Sequence, residues 1–282
     1  MRFGTLTIVG VGLIGGSIGR AARNCALAKK VIGVGRNVES LKKAAELGII
    51  EHYETSIPAG VQSADLVVFA APVDLIASQV IEAAAHCPPG CLLTDAGSTK
   101  QKIIHDIDQA KFPEAGVQFI GSHPIAGSAQ RGPESAREDL FVNKTVIVTP
   151  SRHSSEAGVI EIEAFWRALG AKTIRLSALE HDRLLAWSSH LPHITAAILS
   201  GILPPEARPF TGTGFKDTTR IAAGDPEVWL PIIKQNREAL LDGLSNLESA
   251  IGTFRQLLRD SDWEPIRQFL EKGKRGRDAL GS

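Results

Sequence analysis

The chain has 282 residues, room for two domains at the usual ~100–200 residues each. Its 31 Lys and Arg balance 31 Asp and Glu, which excludes the basic footprint of a nucleic-acid binder or of a protein held on an anionic membrane. With 43% hydrophobic residues and no apolar run near the ~18 residues of a membrane span, the composition is that of a soluble globular protein.

The N-terminus enters a strand almost at once, so no signal peptide is expected. Three cysteines, Cys25, Cys87 and Cys91, lack metal-type spacing and read as reduced, mostly buried thiols of a cytoplasmic protein. The first strand, Leu6–Val9, runs into Gly10-Val11-Gly12-Leu13-Ile14-Gly15 and then a helical stretch over Ser17–Cys25. Strand, tight glycine turn and helix together let backbone N–H groups and the helix N-terminus approach a pyrophosphate without Cβ interference. Gly10, Gly12, Leu13, Ile14 and Gly15 are therefore candidate dinucleotide contacts.

A second strand, Val31–Val34, leads to Gly35, about 20 residues past the third glycine, where an acidic side chain ordinarily accepts the ribose hydroxyls of NAD. Glycine there removes the anion, and Arg36 next to it offers a planar cationic fork to a 2′-phosphate, which favours NADP over NAD. The plainer alternative makes Arg36 a surface charge and puts selectivity elsewhere. A helix is predicted over Val38–Leu47, then a strand over Leu66–Ala70 followed by Ala71-Pro72-Val73, a wall beneath the cofactor. After a helix over Leu75–Ala85 comes the strand Cys91–Thr94 and the segment Asp95-Ala96-Gly97-Ser98-Thr99-Lys100. Ser98 with Gln101 has the spacing of a capping box on a helix over Lys100–Ala110; the same position aims its hydroxyl into the crevice at the strand ends, so cap and functional group are both open.

The strand Val117–Ile120 delivers Gly121-Ser122-His123-Pro124, and His123 at a carboxyl strand end suits a general base at neutral pH. A strand over Thr145–Thr149, a helix over Glu156–Leu169 and a strand over Lys172–Leu176 complete the half. These strands are continuous apolar runs, which predicts a doubly wound, Rossmann-type parallel sheet over residues 1–176.

From residue 177 to 282 helical patterns take over. Ser189-His190-Leu191-Pro192-His193 sets two histidines three apart, with Pro192 breaking the helix at the Ser188 carbonyl. No further ligands accompany them, so no metal site is assigned, and they are read as groups lining a cleft. Gly212–Ala222 carries Lys216, Asp217 and Arg220, either a clamp for a substrate anion or a surface ion pair between Asp217 and Arg220. Asp225-Pro226 opens the next helix as N-cap and first residue. Leu240, Leu244, Leu247, Ile251, Phe254 and Leu258 form a seam with steps of four and three, buried either within the chain or against a second copy. Lys272, Lys274, Arg275 and Arg277 mark a solvated tail.

The ordered set Gly10–Ser17, Asp95–Lys100, Ser122–Gly127, His181–His193 and Gly214–Trp229 resembles prephenate and arogenate dehydrogenases of tyrosine biosynthesis, over almost the whole chain. The resemblance implies a Rossmann-type domain followed by an all-helical dimerisation domain, a homodimer, and oxidative decarboxylation of a cyclohexadienyl substrate, prephenate or arogenate, by NAD or NADP. By position, His123 matches the family's catalytic histidine, which binds the ring 4-hydroxyl, and Ser98 its hydrogen-bonding helper. His193 matches a cleft histidine near nicotinamide and substrate, and Arg220 the arginine that holds a substrate carboxylate. Ser128 and Lys216 are added as substrate contacts. At Ala129 many prephenate-specific members carry an acid, so its absence leaves the choice between prephenate and arogenate open. The chain leaves no room for a regulatory domain, so inhibition by tyrosine would act at the active site. Two alternatives remain: a β-hydroxyacid dehydrogenase with Lys216 as its catalytic lysine, which leaves His123 without a purpose, and a non-catalytic NADPH-sensing protein.

Overall fold

Apolar runs become the inner strands of one central sheet, because those strands are buried on both faces. In the computed structural model, which describes residues 2–113, 116–128 and 130–281, the sheet has eight strands in the order β3-β2-β1-β4-β5-β6-β7-β8 among the described residues. They are β1 (Phe3–Val9), β2 (Ala28–Val34), β3 (His52–Glu54), β4 (Leu66–Phe69), β5 (Leu92–Asp95), β6 (Gln118–Pro124), β7 (Thr145–Pro150) and β8 (Lys172–Arg175). Strand order reverses between β1 and β4, so the crevice for a ligand opens at their carboxyl ends, where Gly10 faces Ala70.

Helices cover both faces. On one side α1 (Leu13–Asn24), α2 (Val38–Glu46) and α6 (Glu156–Ala168) bury Ile18, Leu41, Phe165 and Trp166. On the other, α3 (Ile57–Val61), α4 (Val73–Ala84) and α5 (Gln101–Gln109) bury Val61, Ile76, Val80 and Ile107. Full burial of such a side chain contributes roughly 1.5–3 kcal/mol, so the two layers hold the sheet firmly.

Several features depart from the sequence reading. The sheet is not wholly parallel: β7 runs antiparallel to β6. Among the described residues between them there is no crossover helix, only a loop with a 3-10 turn at Pro133–Ser135, and a parallel return needs a longer crossover. β6 also extends to Pro124 instead of ending at Ile120. Its pairing with β5 stops at Thr94↔Ile120, whereas its pairing with β7 continues through His123↔Ile147 to Pro124↔Val146. The antiparallel neighbour therefore carries His123 past the edge of the parallel sheet while keeping it in a hydrogen-bonded strand. The short polar β3 and α3 were not foreseen, and Cys25 is exposed, not buried.

The remainder is helical: α7 (Ala178–Leu185), α8 (Leu191–Gly201), α9 (Thr213–Thr219), α10 (Pro226–Gln235), α11 (Arg237–Arg259) and α12 (Trp263–Asp278). As the missing N–H of Pro192 requires, α7 passes into α8 through a π turn at Ala186–His190, closed by the Leu191 N–H on the Ala186 carbonyl. The two halves dock through side chains: Ile232 enters the core beneath α4, and Gln235 donates to the Val73 carbonyl (3.0 Å) while accepting from Thr99 Oγ1 (2.6 Å). The α11 seam is only partly covered. Phe254 packs against Phe269 of α12, but Ile251 and Leu258 remain exposed. Among the described residues no helix is long and apolar enough to cross a membrane.

Candidate active site

The chain leaves β1 through Gly10, whose φ of +94° lies in the region that favours glycine. A Cβ there would also stand 2.5 Å from the Ala70 carbonyl oxygen, so strand β4 and the turn can meet only over a glycine. Gly15, in the first turn of α1, lies against the Gly10 carbonyl, where a Cβ would collide with it. Gly12, by contrast, faces open space. A cavity of about 900 Å³ spreads from Gly10 and Gly12 to Gly35, Arg36, Asn37 and Ser40. A second of about 510 Å³ continues past Leu13 and Ile14 over Ala71 and Pro72 to Ser98 and Trp229. Gly12 and Gly132 border both, which puts the N-terminus of α1 at their junction. Two joined cavities meeting at a helix N-terminus fit the two halves of a dinucleotide with its pyrophosphate between them.

Beside the second cavity the Ser98 segment is wrapped around a buried ammonium. Lys100 and Asp95 are both 0% exposed; Lys100 Nζ donates to Asp95 Oδ2 (2.6 Å) and to the carbonyls of Gly97 (2.8 Å) and Thr99 (2.9 Å). Asp95 Oδ2 also accepts from Gly97 N–H (2.9 Å), and Oδ1 accepts from Ser122 N–H (2.9 Å). One carboxylate thus ties the Ser98 segment to the residue before His123. Among the described residues Ser98 itself caps nothing. The N-terminal N–H groups of α5 are capped from the other half of the chain, by Asp182, which accepts from Lys100 N–H (2.8 Å) and Gln101 N–H (2.9 Å). The capping-box reading is corrected accordingly, and the Ser98 hydroxyl is left at the cleft wall.

His123 is 8% exposed, and its Nδ1 lies 2.8 Å from His181 Nε2. His181 Nδ1 lies in turn 2.7 Å from Asp182 Oδ1. Burial first, then the neighbouring His181 ring, the Lys100 ammonium and the His190 ring, which all disfavour a further positive charge, hold the His123 imidazole well below its ordinary pKa. Burial also lowers His181, against the opposing pull of Asp182. His123 is therefore neutral at neutral pH, the state a general base requires.

From the helical half, Trp229 of α10 meets both histidines of the π-turn region. His193 stacks on it (ring centroids 3.5 Å, interplanar angle 11°) and His190 stands edge-on (6.0 Å, 86°). Gly224 makes room for this pair, since a Cβ there would come 2.8 Å from the His193 ring. His193 Nδ1 is buried with no hydrogen-bond partner among the described residues. Asp225 caps α10 at Glu227 N–H (2.8 Å), as its sequence position indicates, and forms an ion pair with Arg131 across the cleft lining.

Three comparisons bear on the chain as a whole. Residues 18–175 match the family described as prephenate dehydrogenase, nucleotide-binding domain, and residues 177–272 match prephenate dehydrogenase, dimerization domain. A prephenate dehydrogenase of Bacillus subtilis is 34% identical over 98% of this chain and 76% of its own length. A cyclohexadienyl dehydrogenase of Zymomonas mobilis is 28% identical over 99% and 96%. This chain belongs to the prephenate dehydrogenase family. Among solved structures, prephenate dehydrogenase of Aquifex aeolicus, in complex with hydroxyphenyl propionate and NAD+, superposes with a TM-score of 0.90 at 29% identity, covering 99% of both chains. Synechocystis arogenate dehydrogenase gives 0.83 at 27%, covering 98% of this chain and 99% of that one.

Within this prephenate dehydrogenase fold the predicted residues separate into three groups. Gly10, Gly12, Leu13, Ile14, Arg36, Ala71, Pro72, Ser98 and Ser128 line the two cavities, with Gly15 packed beneath the turn. His123 and His193 are set back from that lining, each largely buried. Lys216 and Arg220 do not reach it; both are exposed, Lys216 on α9 and Arg220 in the 3-10 turn that follows. No Asp217–Arg220 ion pair forms among the described residues, so the surface-pair alternative is not realised. The Ala129 position lies outside the described residues. Sequence reasoning missed His181, Asp182, Trp229 and the Lys100–Asp95 pair as parts of the site. The His181-Asp182 dipeptide was visible within a motif, but nothing local shows that it reaches His123.

The buried histidines also predict how this dehydrogenase unfolds in acid. Asn236 Nδ2 donates to the Asp182 carbonyl (2.8 Å) and to His190 Nδ1 (2.9 Å), leaving that nitrogen no room for a proton; burial pushes His190 down to about 4. Its folded pKa lies below the unfolded value near 6.5, so its contribution is complete above pH ~6.5 and is lost as pH falls toward ~4. Over that window His190 alone accounts for about 3 kcal/mol, and His123 and His181 act with the same sign. Urea-unfolding midpoints measured from pH 7 to pH 4 are expected to drop steeply below 6.5. A flat profile would mean these imidazoles titrate normally.

Proposed function

We propose that this chain oxidatively decarboxylates both prephenate and arogenate, giving 4-hydroxyphenylpyruvate and tyrosine, as a homodimer that uses NADP in preference to NAD. The observation that carries the reading is His123, buried at the end of a hydrogen-bonded chain with His181 and Asp182, behind a Ser98 segment that lines a cleft joined to the dinucleotide cavity. His123 Nε2 takes the proton of the ring 4-hydroxyl as C4 is oxidised, and Ser98 orients that hydroxyl from the cleft wall. Bound nicotinamide supplies the acceptor for the hydride leaving C4. The electron pair of the bond to the ring carboxylate then completes the aromatic ring, CO2 departs, His123 returns its proton to the phenolate oxygen, and the gain of aromaticity makes the sequence effectively irreversible. His193 and Ser128 are assigned to the substrate's surroundings. Arg220 and Lys216, exposed and outside both cavities of the single chain, keep only the role that the family resemblance implies, a contact to a substrate carboxylate.

Three further points support the finer assignments. At the far cavity the N-terminus of α2, capped by Asn37 on Ser40 N–H (3.1 Å), stands beside Arg36. A helix N-terminus and a guanidinium favour the extra phosphate of NADP, while the Glu39 carboxylate that also borders this cavity lies 3.1 Å from the Lys42 ammonium. Among the described residues that line the substrate cleft Asp225 is the one carboxylate, and Arg131 already pairs with it. A carboxylate so paired discriminates little between the ketone of prephenate and the ammonium of arogenate. Exposed Ile251, Leu258, Trp263 and Leu270 on α11 and α12 leave an apolar surface for the second copy that the family's dimerization domain provides.

Initial rates with prephenate and arogenate, each with NADP and NAD, test the proposal through the absorbance of the reduced nicotinamide. The expected kcat/KM for the two substrates agrees within about tenfold, and NADP exceeds NAD by at least about tenfold. Absence of cofactor reduction with either substrate would overturn the reaction, and a preference for NAD would overturn the role of Gly35 and Arg36.

A further inference from the structure

We propose that His181 and Asp182, on the first helix of the C-terminal half, are positioning residues that fix the tautomer of His123, so that the base is competent only when the two halves of the chain are docked. This rests on His123 being the group that takes the hydroxyl proton.

The assignment follows from what each atom can do. An ionised carboxylate only accepts, so the 2.7 Å contact between Asp182 Oδ1 and His181 Nδ1 requires a proton on that nitrogen. A neutral His181 then presents a lone pair at Nε2. The atom 2.8 Å away, His123 Nδ1, must be the donor, which leaves the lone pair of His123 on Nε2. The opposite arrangement would set a ring lone pair against the Asp182 carboxylate. A doubly protonated His181 would put a cation in a site of 0% exposure that already faces the Lys100 ammonium. The groups around the two rings are Lys100, Asp95, Asp182 and His190, and they leave this one proton arrangement.

Asp182 is not free to adjust. It spans the junction of the halves, accepting at both oxygens from the N-terminus of α5, and its own carbonyl is held by Asn236 (2.8 Å) at the start of α11. α5 begins where the Ser98 segment ends. The same carboxylate therefore registers the Ser98 wall and, through His181, the proton on His123. Separation of the halves would take away the acceptor for His123 Nδ1–H and let the ring exchange its proton to Nε2, where it cannot serve as base.

The direct test is 15N NMR of the histidine-labelled full chain near pH 7.5, with resonances assigned by single His substitutions. The expected spectrum shows Nδ1 of His123 as a protonated, pyrrole-type nitrogen and Nε2 as a pyridine-type one. His181→Leu, which removes the acceptor, is expected to lower kcat by about 10²–10³-fold with KM within about threefold. His181→Gln can present its amide oxygen to His123 and its NH2 to Asp182, and is expected to restore kcat to within about tenfold of the parent. A pyridine-type Nδ1 on His123 in the unmodified protein, or a folded Leu variant with parental kcat, would overturn the proposal. Parental turnover in His123→Asn would instead sink the base assignment beneath it. Loss of turnover in that variant beside full turnover in the Leu variant would remove the positioning role alone.

Discussion

Asparagine in place of His123 is expected to reduce kcat by about 10²–10⁴-fold while KM for the cyclohexadienyl substrate stays within about threefold. Asn keeps a polar group on β6, and the pairing His123↔Ile147 is a backbone feature that the substitution leaves alone. What it removes is the ring nitrogen that accepts the proton, a group used as the hydroxyl ionises and not in simple binding. The pH profile separates this loss from a packing defect. Burial holds the His123 imidazole below its ordinary pKa, so the parent's kcat/KM should stay level down through pH 6.5 and fall only as more acid protonates the base. That acid limb should be missing from the residual activity of the Asn variant. Steady-state rates across pH 5–9, with nucleotide affinity measured separately, check both statements, and turnover near the parent's would reject His123 as the base.

How much of this was legible in the sequence depends on how far apart the cooperating residues lie. The glycine turn, the end of β2 at Gly35 and the strand–helix alternation are local signals, and the fold delivers them where they were expected. Pro192 is local too, and its missing N–H reappears as a π turn. The direction of β7 was not legible from its own residues, because Thr145–Pro150 is an apolar run that suits either orientation; the missing crossover helix decided it. The Ser98 cap failed for a different reason. The spacing to Gln101 was right, but the acceptor that caps α5 comes from Asp182, 82 residues after Lys100. The histidine relay is equally non-local, bridging His123 and His181 at a separation of 58 residues. Arg220 and Lys216 carry a family pattern, yet stand exposed on the outer turn of a single chain, away from both cavities.

The largest stability effect is expected at Lys100, a residue whose position in the sequence resembles an ordinary first-turn lysine. Lys100→Met should destabilise the protein by about 3–5 kcal/mol, a fall of roughly 6–20 °C in Tm for a chain of this size. The ammonium is fully buried, and its three bonds go to Asp95 Oδ2 and to the Gly97 and Thr99 carbonyls. Met fills a similar volume but leaves Asp95 as an uncompensated buried charge and two carbonyls without their donor. Asp95→Asn on the Met background removes that charge, so the double variant should recover part of the loss despite carrying one more substitution. Urea unfolding of the four proteins in the cycle measures the coupling. Because Asp95 also accepts from Ser122 N–H, the Met variant should lose kcat beyond its loss of folded fraction, as the segment before His123 slackens. A Met variant less than about 1 kcal/mol below the parent would mean that the Ser98 segment is held by its backbone and not by the ammonium it encloses.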